Sequence, residues 1–170
     1  MAAGAGDEPV EVVDEVGTVL QVVSRAEMRA RNLRHRSTYV VVTTSAGEVV
    51  THRRADDKDV WPGRWDLAFG GVAGVGEPWR TAARRELAEE AGVEVDEALL
   101  VEVGAGAYAD GEVRLAGRVY ALEHDGPYTC PDGEVTELVL VPGAALGDWL
   151  DTHDICPDTL ALVVPYLLGR

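Results

Sequence analysis

Residues 71–93, GVAGVGEPWRTAARRELAEEAGV, constrain this chain most: they carry four glutamates, three of them within the last eight residues. The first part is a loop, because Gly70, Gly71, Gly74 and Gly76 interrupt any regular element. From Pro78 to Ala91 the composition favours a helix, with Pro78 suited to the first helical position and Gly92 to the residue just past the end. On that helix Glu86, Glu89 and Glu90 stand at i, i+3 and i+4, which places their carboxylates within roughly a 100° arc. Ala83, Leu87 and Ala91 form a neighbouring stripe that a core can cover.

Like charges at these spacings repel one another. They also sit toward the helix C-terminus, where the macrodipole disfavours acids. A solvated acidic face is the ordinary fate of a charge run. Here, though, Glu86 is followed four residues later by Glu90 instead of Lys or Arg, so the usual pairing is forgone. A hard cation such as Mg²⁺ relieves both penalties, since it takes oxygen ligands and needs few carboxylates beside water and substrate phosphates. The cluster therefore reads as a metal site.

Fifteen Lys and Arg against 30 Asp and Glu give a formal net charge of −15. That excludes a nucleic-acid scaffold, which needs a basic surface. It also means that an anionic substrate must be recruited by a cation and by local arginines. The 170 residues, 46% of them hydrophobic, fit one domain spanning 1–170, and its size and apolar content suit a homodimer. The first residues do not have the pattern of a signal peptide. The apolar stretch LALVVPYLLG is about half of what a membrane span needs. A cytoplasmic protein without membrane association is expected, with Cys130 and Cys156 as free thiols.

Residues 1–8 are expected to be flexible, and residues 10–32 to form a hairpin (Val10–Val13 and Thr18–Val23) followed by a short charged helix, Arg25–Asn32. Strands are expected at Tyr39–Thr44 and Val49–Arg53 around the turn Ser45-Ala46-Gly47, and at Trp65–Phe69 after the turn Trp61-Pro62-Gly63. Further strands follow at Leu99–Val103, Val113–Leu122 and Glu137–Val141, and a helix over Pro157–Leu168 closes the chain. Strands mixed with a few helices indicate an α/β or α+β sandwich.

The spacing of residues 71–93 resembles the Nudix box, Gly-x5-Glu-x7-Arg-Glu-aliphatic-x-Glu-Glu-x-Gly-aliphatic. Gly71, Glu77, Arg85, Glu86, Leu87, Glu89, Glu90, Gly92 and Val93 fill it without departure. Nine fixed positions are far more specific than a lone glycine motif. The resemblance implies a Nudix fold, a mixed β-sheet sandwiched between α-helices with the box as a loop-helix-loop that binds Mg²⁺ or Mn²⁺. It also implies hydrolysis of a diphosphate linkage in a nucleoside diphosphate derivative or related small molecule by water attack on phosphorus. Carried over by position, Glu86, Glu89 and Glu90 would be metal ligands and one of them a base. Gly71 would offer its carbonyl to the metal, Glu77 would bind or order the outer shell, and Arg85 would orient a glutamate. Metal carboxylate sites supply what such attack needs: neutralised oxygens, a positioned water and a base.

The segments HRSTYVVV, HRRADDKDVWPGRWD and FGGV, ahead of and into the box, are similar to the branch related to isopentenyl-diphosphate isomerase. By that resemblance Arg54 and Lys58 would hold a diphosphate, and His35 falls on a metal-binding histidine. The isomerase's catalytic cysteine falls on Gly70 and its second metal histidine on Val72. Isomerisation therefore lacks its apparatus, and hydrolysis leads. A non-catalytic binding module is the alternative of another class.

Among acids outside the box, Glu134 in PDGEVTELVLV is chosen over Glu137 as an auxiliary ligand or base. Trp61, Trp65 and Tyr108 are candidates to stack a nucleobase, while Trp79 and Trp149 read as packing. Specificity is expected in the N-terminal hairpin and in the loops Tyr108–Gly111 and Gly126–Gly133.

Overall fold

The computed structural model describes residues 5–169. Two strands, β1 (Pro9–Val13) and β2 (Val19–Ser24), form the opening hairpin, and the helix α1 (Arg25–Ala30) follows directly. Ser24 caps that helix, its hydroxyl accepting the Glu27 N–H at 3.1 Å. Next come β3 (His35–Thr43), β4 (Glu48–Arg54), β5 (Trp65–Asp66) and the box helix α2 (Trp79–Ala91). The second half holds β6 (Val101–Ala109), β7 (Arg114–Glu123), β8 (Val135–Pro142) and three short helices, α3 (Leu146–Thr152), α4 (Pro157–Leu162) and α5 (Val164–Leu168).

The sheet is mixed. β3 and β7 run parallel from His35↔Leu115 to Thr43↔Glu123, while β1–β2, β6–β7 and β4–β8 are antiparallel. β3 and β4 are consecutive, yet they pair only at Thr43↔Val49 before they diverge. Residues 65–72 fill the gap, with β5 on β4 through His52↔Asp66 and bridges to β3 at Val40↔Phe69 and Ser37↔Val72. The first glycines of the box loop are thereby pressed onto β3.

Alternation along β3 divides the core between two faces. Val40 and Val42 join Phe69, Ala83, Leu87, Ala91 and Tyr120 under α2. Tyr39 and Val41 join Leu67, Val119, Leu146, Cys156 and Val163 under α3, α4 and α5. This is the expected mixed sheet between helices, and the predicted stripe of Ala83, Leu87 and Ala91 is fully buried.

Several boundaries differ from the sequence expectations, each for a physical reason. Of the eight residues expected to be flexible, 1–4 lie outside the described residues. Ala5–Asp7 forms a 3-10 turn, and Glu8 pairs with Arg25 at 3.3 Å. Pro78 is the N-cap of α2 and not its first residue, while Gly92 terminates the helix in the left-handed region (φ 70°) as expected. The expected strand Trp65–Phe69 shrinks to Trp65–Asp66 because the segment crosses from one neighbour strand to the other. The expected C-terminal helix breaks at Val163, since Pro165 offers no N–H to continue it. β6 begins at Val101, after a 3-10 turn at Glu97–Leu99, and extends into the expected loop at Tyr108. Its small residues hid it from propensity. A Cβ at Gly106, or at Gly117 opposite it on β7, would stand 2.9 or 2.8 Å from the Leu162 side chain, so close packing by α4 selects glycine at this pair over good strand formers.

Leu87 has 0% exposure on the face of α2 opposite the solvent. Leu87→Ala is expected to cost about 2–5 kcal/mol of unfolding free energy, measured by urea denaturation.

Candidate active site

A single guanidinium gathers the glutamates that α2 and its preceding loop set side by side. Arg85 grips Glu77 with two bonds, Nε to Oε1 at 2.9 Å and Nη2 to Oε2 at 3.0 Å. Its Nη1 donates to Glu86 Oε1 at 2.7 Å and to Glu89 Oε2 at 3.2 Å, and its Nη2 also reaches the Val72 carbonyl at 3.3 Å. The fork geometry of arginine makes one residue sufficient for three carboxylates. Hydrogen bonding by Arg85 holds the Glu77 carboxyl below its ordinary range.

Glu86 and Glu90 lie deeper. Burial pushes the Glu86 carboxyl up against the pull of Arg85. Burial likewise raises Glu90 well above its ordinary value, although the Gly70 N–H donates to its Oε2 at 2.9 Å. Glu89 is about half exposed and faces the opening. Burial thus disfavours the charged form of both carboxyls, and the neighbouring acids add to the effect.

The glycines of the loop are required by close approach. A Cβ at Gly70 would stand 1.8 Å from the Thr38 carbonyl oxygen, and one at Gly71 would stand 2.7 Å from the Glu86 carboxylate. The Gly71 carbonyl, expected at the metal, accepts the Thr38 N–H at 3.0 Å and the Ser37 hydroxyl at 3.4 Å, so the sheet engages it. Sequence reasoning missed what holds the rest of the loop. Arg36 and Glu11 form a buried ion pair at 2.7 Å; Arg36 donates to the carbonyls of Gly74 (2.7 Å) and Glu77 (2.8 Å), and Glu11 accepts the Gly76 N–H (2.8 Å). Trp79 packs as expected, with the guanidiniums of Arg36 and Arg118 each 5.0 Å from its ring.

The glutamates open onto a cleft of about 460 Å³ whose walls include Glu77, Glu86, Glu89, Glu90, Glu134 and Lys58. Glu134 and Lys58 form an ion pair across its rim. Glu137, passed over in favour of Glu134, is exposed on β8. A smaller annex of about 90 Å³ shares the walls Arg25, Lys58, Gly70, Gly71 and Val72 with the cleft. Arg54 lines the annex, where Nε and Nη2 donate to the Val60 carbonyl (3.3 and 2.9 Å) and Nη1 lies 3.9 Å from Asp66. Burial works most strongly against the Arg54 charge, but Asp66 together with Cys156, Glu90 and Asp158 outweighs it and the guanidinium is stabilised. His35 also lines the annex and not the carboxylate cleft; burial, reinforced by Arg29, holds it neutral with a pKa of about 4. Arg25 and Arg29 of α1 complete the basic wall, a role the sequence did not signal beyond a charged helix. Trp61 lines the annex, whereas Trp65 packs edge-on against Trp149 and His153, and Tyr108 donates to Asp110 at 2.7 Å.

Among the described residues, no three His, Cys, Asp or Glu side chains converge as metal ligands. Arg85 accounts for this, since it draws Glu77, Glu86 and Glu89 onto itself. The donor set still suits a hard cation, being all oxygen, with Glu86 and Glu90 carboxyls whose charged form burial disfavours until a cation is present.

The model of the NUDIX domain matches residues 33–156, most of the chain and all of the loop-helix unit just described. The chain belongs to the Nudix hydrolase family. An uncharacterised Nudix hydrolase of Pseudomonas aeruginosa is 36% identical over 166 residues, covering 97% of this chain and 96% of that protein. The Escherichia coli Nudix hydrolase YfcD is 36% identical over 134 residues, covering 79% and 73%. A Deinococcus radiodurans crystal structure superposes with a TM-score of 0.72 at 22% identity over 89% of this chain and 94% of the other. The NUDIX domain of Shewanella oneidensis NrtR, solved with ADP-ribose, gives a TM-score of 0.59 at 17% identity over 82% and 94%. These structural likenesses concern the fold.

The raised carboxyls give a pH test. Unfolded, Glu90 titrates near its ordinary 4.5; folded, it titrates higher, so the stability it contributes is complete below 4.5 and lost as pH rises through the folded value. His35 and His52, lowered to about 4 and about 3 by burial, act oppositely below 6.5, so a difference between variants is the clean readout. Glu90→Gln, which keeps an acceptor for the Gly70 N–H, is expected to melt higher than the metal-free wild type at pH 7–8. That advantage should vanish toward pH 4.5 in thermal scans.

Proposed function

We propose that this chain is a Mg²⁺- or Mn²⁺-dependent pyrophosphohydrolase that cleaves the phosphoanhydride bond of a nucleoside diphosphate derivative or related small molecule. The observation that carries the reading is the apposition of a cleft bearing Glu86, Glu89 and Glu90 with an annex bearing Arg54 and Lys58. Glu86, Glu89 and Glu90 would hold the metal, with Glu77 ordering its outer shell and the Gly71 backbone closing the site. A bound divalent cation would neutralise the diphosphate oxygens and make phosphorus the easier target.

This chain's own residues do the positioning. Arg85 fixes the rotamers of Glu77, Glu86 and Glu89, so the acids meet a substrate already oriented. Arg54 offers a fork and Lys58 a point charge to phosphate oxygens. Glu134 stands at the cleft rim, where it can accept a proton from attacking water once Lys58 turns to the substrate. Isomerisation has no support here. At position 70, where the isomerases place a catalytic cysteine, any side chain would collide with the Thr38 carbonyl at 1.8 Å from its Cβ.

Incubation with Mg²⁺ and a panel of nucleotides, nucleotide sugars, dinucleotides and coenzymes is expected to release phosphate or a monophosphate. Chelation should abolish this, and Glu89→Gln should slow it by roughly 10²- to 10⁴-fold. An unchanged rate in Glu134→Gln would remove Glu134 from the machinery. Ligand binding by folded protein without turnover of any panel member would mean a binding module.

A further inference from the structure

The annex is small and cationic, which narrows the substrate class if the hydrolase reading above holds. Arg25, Arg29, Arg54 and Lys58 meet around about 90 Å³, with buried Tyr39, Ala68 and Leu115 behind them. Four cations converging in a chain of net charge −15 are not a chance of composition. The three acids of the annex are already engaged, Asp59 by Arg29 Nε at 3.0 Å. Asp66 Oδ1 accepts the Leu67 and Ala68 N–H groups and the Thr159 hydroxyl (2.8, 3.3 and 2.6 Å), and Asp158 accepts the Tyr39 hydroxyl (2.7 Å). On the donor side, the indole N–H of Trp61, a residue 7% exposed, has no partner among the described residues. Burial lowers Arg29 even beside Asp59 at 3.0 Å, and His35 stays neutral. Four cations against three acids leave a formal excess of one positive charge on the annex wall, and the Trp61 N–H adds a donor without an acceptor, so a fitting ligand brings oxygen acceptors and negative charge.

Size decides which end of a substrate can enter. About 90 Å³ is on the order of three water volumes, against roughly 300–1,000 Å³ for sites that enclose a whole ligand. A phosphoryl group fits, and a nucleoside or sugar does not. Nor is there an exposed ring for a base: Trp61 and Tyr39, the aromatic residues lining the annex, are 7% and 5% exposed, and none lines the cleft.

We propose that the annex receives the terminal phosphoryl group of a diphosphate monoester, whose organic substituent points out of the wider cleft. Such a group carries about −1.5 to −2 charges and three acceptor oxygens, which the donors of Arg25, Arg29, Arg54 and Lys58 can meet. A diphosphate substituted at both ends lacks that terminal dianion and would have to push its second substituent into the annex. In the reaction, the oxygen of water bonds to one phosphorus and the bridging P–O bond breaks, leaving the bridging oxygen on the other phosphate. The products are the organic monophosphate and inorganic phosphate, and the water protons pass to the products and solvent.

The test compares, with Mg²⁺, the monoesters ADP and methyl diphosphate with the doubly substituted ADP-ribose and UDP-glucose. The monoesters are expected to show the higher kcat/KM by roughly 100-fold. Arg29→Ala should raise KM for them by roughly 10- to 100-fold, the loss of one charge-assisted hydrogen bond, with a smaller change in kcat. Arg29→Lys should recover part of the loss, and Arg25→Ala repeats the test if Arg29→Ala does not fold. Equal turnover of both classes, or a KM untouched by both alanine variants, overturns the annex assignment while leaving the hydrolase standing. If neither class turns over, the hydrolase reading fails, and calorimetric binding of inorganic phosphate decides the annex. Binding weakened tenfold or more in Arg29→Ala upholds it, and equal binding overturns it.

Discussion

The site exists because β3 and β4, partners in a hairpin, part after a single residue pair. A sheet cannot leave the facing N–H and C=O groups of two diverging strands unpaired. Residues 65–72 satisfy them by crossing from β4 to β3, and that crossing brings Gly70 and Gly71 against Thr38. At position 70 only glycine tolerates the approach, while a Cβ at position 71 would meet the Glu86 carboxylate. Once the loop is pinned there, α2 must start within a few residues, and its acids are delivered to the same edge. The buried Glu11–Arg36 pair ties the far side of the loop to β1 and β3. Removing one partner of such a pair typically costs about 3–5 kcal/mol, so the loop is held at both ends by strong constraints.

Charge is distributed with equal economy. The chain as a whole is acidic, and Glu77, Glu86, Glu89 and Glu90 line the cleft, yet Arg25, Arg29, Arg54 and Lys58 meet at the annex. An arrangement of this kind suits a ligand that is anionic at the site and needs a cation to approach the acids. Arg85 keeps the acidic wall intact in the meantime, because three glutamates share its five donors. The raised Glu86 and Glu90 carboxyls reflect burial first, with the like-charge repulsion apparent in the sequence adding to it.

Local patterns were legible and long-range partners were not. The helix from position 79 to 91, its glycine stop and its buried stripe follow from periodicity, and the box follows from spacing. The grouping of Glu77, Arg85, Glu86 and Glu89 is visible because all four lie within 13 positions of one another. By contrast, Glu11 and Arg36 sit on separate strands, and nothing in either neighbourhood predicts their pairing. Arg25 and Arg29 looked like ordinary helix-surface charges until the fold turned α1 toward the annex. Trp65 shows the reverse error: a loop-edge aromatic suggested base stacking, and its ring is instead occupied by Trp149 and His153. β6 extends beyond its expected end, which fell short because glycines and alanines carry little strand propensity, although α4 packs too closely on Gly106 to admit a side chain.

Lys58 and Glu134 join these threads. The sequence offered the lysine to phosphate and the glutamate to metal or water, from segments 76 positions apart, and the fold pairs them with each other. The lysine is mostly buried and the glutamate 43% exposed. Such a partly exposed pair contributes about 1 kcal/mol or less, whereas a charge-assisted bond to a phosphate oxygen contributes roughly twice a neutral one. A ligand bridging cleft and annex would therefore exchange a weak interaction for two stronger ones, with Lys58 moving to phosphate and Glu134 to the cleft. Because Lys58 lines both compartments, the exchange links occupancy of the annex to release of Glu134. Under the proposed function the ion pair would hold both side chains in place until a substrate separated them.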